Sequence, residues 1–83
     1  MQKRILVEIF LPPSGSEFDV TIPTEPKLGA IIGMIASAIS DMSNGTYSAM
    51  EPVLCDRDTG TIFDINMSAE ELGLENGSRL MLI

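Results

Sequence analysis

The sequence predicts an α+β fold in which one apolar helix packs on a single mixed sheet of four to five strands, with a short helical turn besides. Three observations lead there. The run from Leu28 to Ser40 carries no charge and repeats Leu28, Ile31, Ile32, Ile35 and Ile39 at the i, i+3, i+4, i+7 spacing of one helix face. The segments at the two ends of the chain alternate apolar and polar residues with the period of two that marks a strand. Turn-forming clusters divide the remainder, so that the order reads strand, strand, helix, strand, short strand, helical turn, strand. Two strand pairs bury one helix by lying in one layer on one side of it. The first and last strands, both strongly apolar, then take the centre and pair in parallel. Eighty-three residues make one domain, 1–83.

The first strand is expected from Lys3 to Leu11. Arg4 and Glu8 mark its wet side, which sends Ile5, Val7 and Ile9 inward and leaves Leu6 and Phe10 on the outer face. Pro12-Pro13-Ser14-Gly15-Ser16 is a turn, and Phe18, Val20 and Ile22 alternate inward along a second, antiparallel strand that Pro23 stops. Thr24 is the expected cap of a helix running from Glu25 to Asp41 or Met42, with Glu25 at its positive end and Pro26 in its first turn. Ser43-Asn44-Gly45-Thr46 ends it in a left-handed turn, and residues 43–51 form a polar loop with one tyrosine. Pro52–Asp56 reads as a third strand, Asp56–Gly60 as a tight turn and Thr61–Ile65 as a short fourth strand. Ser68-Ala69-Glu70-Glu71 is a capping box opening one helical turn that closes at Gly73. Asn76-Gly77 leads into the last strand, where Leu80 and Leu82 face in while Arg79, Met81 and Ile83 face out.

Composition excludes several function classes. The formal charge is −7, and the five cations, Lys3, Arg4, Lys27, Arg57 and Arg79, are scattered. Nucleic acid and anionic lipid both call for a basic stripe. Glu8 breaks the apolar run behind the amino-terminal cations, so no signal peptide is expected. The helix spans only about 20 Å at 1.5 Å per residue, short of the ~30 Å bilayer core. Neither membrane insertion nor export is expected, which leaves a cytoplasmic address. One cysteine, Cys55, and no histidine exclude an internal disulfide and the usual zinc sites.

No catalytic, cofactor-binding or metal-ligating set emerges. Asp56, Asp58 and Asp64 flank a turn without the bidentate glutamate of a calcium loop, and turn chemistry accounts for them. Glu71 is engaged in the capping box, and Cys55 has no histidine beside it to make it a nucleophile. An enzyme is not expected. Two surfaces remain. Leu6, Phe10, Leu54, Met81 and Ile83 are expected to converge on the outer sheet face as an apolar patch for a protein partner. Gly29, Gly33 and Ser37 line the helix side opposite the isoleucines, a smooth uncharged stripe. That stripe is either a docking or self-association face, or a place where a long loop covers the helix.

The closing motif Leu72-Gly73-Leu74-x-Asn76-Gly77-x-x-Leu80-x-Leu82, together with Phe18–Pro23 and Asp56–Gly60, resembles the ubiquitin-like β-grasp proteins. Within them it is most similar to the YukD/EsaB-like small bacterial proteins associated with type VII (Esx) secretion. A related domain forms the soluble amino-terminal part of a polytopic membrane component of the mycobacterial systems. The resemblance spans essentially the whole chain. It implies recognition through the outer sheet face, and an accessory or regulatory cytosolic role toward a membrane or ATPase subunit of a secretion apparatus. Conjugation and sulfur transfer need a flexible Gly-Gly tail, whereas this sequence ends at Leu80-Met81-Leu82-Ile83, so a non-conjugating module is expected. A sulfur-carrier or modifier and a structural homo-oligomer are the alternatives.

Overall fold

The computed structural model describes residues 3–45 and 51–83. Strand β1 (Arg4–Leu11) runs antiparallel to β2 (Ser16–Pro23) and parallel to β4 (Ser78–Leu82), and β3 (Leu54–Asp56) closes the other edge antiparallel to β4. The order across the sheet is β2-β1-β4-β3, with the two terminal strands at the centre as the apolar pattern requires. In the register, Val7 lies beside Ser78, Glu8 beside Arg79, Ile9 beside Leu80 and Phe10 beside Met81. Ile5, Val7, Ile9 and Leu11 of β1 meet Leu28, Ile31, Ile35 and Ile39 of helix α1 (Leu28–Met42), joined by Ile22, Leu54, Leu80 and Leu82. Each such side chain contributes roughly 1.5–3 kcal/mol of burial free energy, largely offset by the chain entropy of ordering it. Phe18, Val20 and Ile32 are half-buried around that core.

The helix begins later than Thr24 and Glu25 suggest. Lys27 occupies the cap position in extended conformation (φ −65°, ψ 146°) and makes no side-chain cap hydrogen bond. Thr24 is buried, and both its backbone N–H and its hydroxyl donate to the Lys3 carbonyl, at 3.0 and 3.2 Å. It therefore fastens the end of β2 to the start of β1. The first helical amides are instead met by a distant loop: Leu28 N–H donates to the Met67 carbonyl and Gly29 N–H to the Ile65 carbonyl, each at 2.9 Å. Unpaired amides at a helix start need acceptors, and backbone carbonyls serve as well as a serine oxygen. At the far end Gly45 N–H reaches Ser40 O (2.8 Å) and Asn44 N–H reaches Asp41 O (3.3 Å). Asn44 and Gly45 both lie at positive φ (56° and 79°), as the Asn-Gly signal predicts. Residues 46–50 of the expected polar loop lie outside the described residues.

The expected fourth strand does not form. Residues 61–63 touch β3 through Asp56 N–H to Thr61 O (2.8 Å), Phe63 N–H to Leu54 O (3.0 Å) and a single bridge between Cys55 and Ile62. The Asp64 carboxylate then accepts from Asn66 N–H (2.8 Å) and turns the chain toward the helix start, so the ladder stops. The capping box is present: Ser68 N–H donates to Glu71 Oε1 (3.0 Å) and Glu71 N–H to Ser68 Oγ (3.1 Å). The turn it opens closes on Gly73 (φ 76°), with Gly73 N–H to Glu70 O (3.1 Å) and Leu74 N–H to Ala69 O (2.9 Å). Asn76 and Gly77 then clasp one residue of β1: Leu6 N–H donates to Asn76 Oδ1 (2.7 Å), and the Leu6 carbonyl accepts from Gly77 N–H (2.8 Å).

Candidate protein-binding surfaces

Four of the five residues expected on the outer sheet face are there, and one is not. Leu54 pairs with the inward-facing Leu82 and is only 3% exposed, so it belongs to the core. Leu54 stands between Val53 and Cys55, three apolar residues without alternation at the start of a three-residue strand, and only the register with β4 assigns its side. The other four do not form one apolar patch. Phe10 and Met81 are half-buried neighbours in the parallel register, while Leu6 (47% exposed) and Ile83 (48% exposed) lie toward opposite ends. Between Leu6 and Phe10 runs the charged Glu8–Arg79 row. Each face of a strand is read every second residue, and here the intervening position is ionic.

Arg57 organises that face. Leaving β3, it places its guanidinium 4.2 Å from the centre of the Phe10 ring, 2.7 Å from Glu8 Oε1 and 3.2 Å from Glu17 Oε1. Its planar fork and weak hydration suit both a ring face and two carboxylates. The hydrogen bond shared by Glu8 and Glu17 pushes the Glu8 carboxyl above its ordinary value, with desolvation adding to the rise. The same hydrogen bond, and then that from Arg57, hold Glu17 below it. Arg79 makes a looser ion pair with Asp58 at 3.4 Å. Sequence reading missed Arg57 because its partners lie 49 and 40 positions away; only Glu8, set between Val7 and Ile9 in β1, hinted at a counter-charge nearby.

The helix stripe also divides. A β-carbon on Gly29 would lie 3.2 Å from the Ile65 carbonyl oxygen and 3.4 Å from Ile65 Cβ, so any side chain there presses on the loop that caps the helix and that loop must give way by a few tenths of an ångström. Nothing lies within 4 Å of the same position on Gly33. Gly33 and Ser37 are exposed and stand beside exposed Ala30 and Met34, a surface without charge in a strongly acidic chain.

Asp56 and Cys55, singled out in the sequence, are accounted for locally. Asp56 Oδ1 accepts from Asp58 N–H at 2.8 Å, which is turn chemistry. Cys55 is buried, and burial pushes its thiol above the ordinary range, away from the reactive thiolate. A groove of about 330 Å³ between the start of β1 and the 70–76 turn is lined by Lys3, Thr24, Glu70, Leu74, Glu75 and Asn76, with both glutamates exposed. No helix of the described residues is long and apolar enough to cross a membrane, and among them no three His, Cys, Asp or Glu side chains cluster to hold a metal ion.

No family model and no curated protein matches the sequence. Solved structures do. The ubiquitin-like domain of the type VII secretion protein ECCD1 of Mycobacterium tuberculosis superposes with a TM-score of 0.81 at 15% identity, covering 98% of each chain. The fold is ubiquitin-like. The EccD5 ubiquitin-like domain of Mycobacterium xenopi matches this β-grasp chain with a TM-score of 0.85 at 19% identity, covering 98% of it and 93% of the domain. A chain of the MycP5-free ESX-5 inner membrane complex gives 0.73 at 16% identity, where 96% of the β-grasp chain aligns with 20% of its larger counterpart.

Proposed function

We propose that this β-grasp protein is a non-catalytic binding module of a bacterial type VII secretion apparatus, acting on its cytoplasmic side as an accessory or regulatory component. The observation that carries this is the end-to-end superposition on two EccD ubiquitin-like domains, joined by a match inside an ESX-5 inner membrane complex. The surfaces agree with a role in binding. Asp56 and Glu71 are engaged in a turn and a cap, and Glu8 and Glu17 in the Arg57 network, while Gly33, Met34 and Ser37 present an uncharged face to solvent. The partner is a membrane or ATPase subunit of the apparatus, and the module works without being conjugated to it.

Capture from the native membrane fraction, with a photo-crosslinking residue at position 34 and mass spectrometry, tests this. Recovery of a secretion-machine subunit supports the reading, the more so if Gly33→Glu or the pair Leu6→Asp and Met81→Asp abolishes it. Recovery of that subunit at unchanged yield from all variants removes both surfaces. Consistent recovery of an adenylating enzyme with a mass shift at the terminal carboxylate replaces the binding module with a carrier.

A further inference from the structure

The backbone of the β2 edge is open, and its surroundings specify what it accepts. A strand residue sends its N–H and C=O to the same side, and successive residues alternate sides. Leu6 directs both groups toward Asn76 and Gly77, on the β4 side. Glu8 and Phe10 therefore do the same, while Ile5, Val7 and Ile9 bond across to Ile22, Val20 and Phe18. The residues between these on β2, Glu17, Asp19 and Thr21, consequently turn their amides and carbonyls outward from the sheet. Among the described residues those groups meet one hydrogen bond, from Arg4 Nη2 to the Thr21 carbonyl at 3.3 Å. β2 is eight residues long, and an exposed edge of that length is a template for another strand.

The two faces beside the edge differ. On the helix side Phe18 and Val20 are only half-buried and leave apolar area next to the open backbone. On the outer side stand Glu17 and Asp19. Arg57 already reaches Glu17, whereas no ion pair reaches Asp19 among the described residues. A second copy of this chain fits poorly: antiparallel pairing centred on Asp19 sets Asp19 against its own copy, in a protein of charge −7. We propose that the β2 edge is a strand-addition site for an extended segment of another protein that alternates aliphatic with Lys or Arg residues. The aliphatic side chains lie along Phe18 and Val20, the cations along Asp19 and Glu17, and the backbone pairs with Glu17, Asp19 and Thr21. This inference rests on the reading of the chain as a binding module and is independent of which machine it serves.

The test titrates isotope-labelled protein with three synthetic peptides: alternating Lys-Val, the same composition arranged as a Lys block and a Val block, and alternating Glu-Val. The alternating Lys-Val peptide is expected to shift the amides of Glu17, Asp19 and Thr21 and slow their hydrogen exchange. The block peptide should bind about tenfold more weakly, because alternation places charge and hydrocarbon on opposite faces. Asp19→Lys should weaken Lys-Val binding by about tenfold and admit the Glu-Val peptide. The peptide exchange on unaltered protein makes the same comparison without any substitution. Equal binding of the two lysine peptides, shifts centred on Gly33 or Met81, or no saturable binding of the alternating Lys-Val peptide overturns the proposal. Success with peptides but failure to recover a secretion subunit from membranes leaves this site standing and removes the assignment to type VII secretion.

Discussion

Gly29 and Gly33 sit one turn apart on the same face of α1, and the sequence gives no reason to separate them. Ile65 lies against the first, and its carbonyl takes the Gly29 amide. The second faces open space. One absent side chain thus lets the chain close on itself, and the other leaves a surface smooth. A small residue in a helix has two opposite meanings, and only the nearest backbone tells them apart.

Substitutions at these positions test the difference directly. Gly29→Val, which drives a branched side chain into the Ile65 backbone and loosens the helix cap, should destabilise the fold by about 2 kcal/mol in urea unfolding. A neutral result would mean that the 65–67 loop yields freely. Gly33→Ala should act with the opposite sign, raising stability by about 1 kcal/mol through helix propensity alone. Equal signs at the two positions would erase the distinction. Gly33→Glu should leave the folded spectrum intact and change stability by less than about 1 kcal/mol. If Gly33 forms a contact between copies, sedimentation velocity should show that assembly lost in the variant; assembly retained in full would assign self-association elsewhere.

The outer face provides a smaller contrast, between two glutamates bound by one arginine. Carbon-detected titration should place Glu8 above 4.5 and Glu17 below it. Arg57→Met, which keeps a hydrocarbon stem over Phe10, should raise both midpoints, since Arg57 lowers each. The linkage signs oppose. Glu17, depressed in the fold, adds stability above its unfolded midpoint that is lost as pH falls through its folded one. Glu8, raised in the fold, adds stability at low pH that is lost as pH rises through its folded midpoint. Their effects on acid stability should therefore have opposite signs, and shifts of the same sign at the two carboxylates would contradict the shared hydrogen bond.

The fold was legible where the pattern was local. Alternation in β1 and β4, the isoleucine stripe of α1 and the Ser68–Glu71 capping box each declare themselves within a few residues. Legibility failed where a distant segment decides. The helix start is set by carbonyls at 65 and 67, so Thr24 and Glu25, respectable capping residues, were free for other duties. Leu54 turns inward because Leu82 does, and nothing in Val-Leu-Cys says so. The surface was the least legible part: the apolar count along β1 and β4 suggested a continuous patch, and Glu8, Arg79 and Arg57, drawn together from three segments, interrupt it.

The parallel seam between β1 and β4 has a consequence for how the molecule is made. Residues 4–11 leave the ribosome well before residues 78–82, yet one side of them is completed only by that later strand. During synthesis α1 can already cover Ile5, Val7, Ile9 and Leu11, but the backbone edge of β1 that pairs with β4 stays open, and closure across so long a separation is slow. This domain is thus most open to pairing with a foreign strand just before β4 emerges, and a chaperone able to shield an unpaired strand edge would have its greatest effect in that interval.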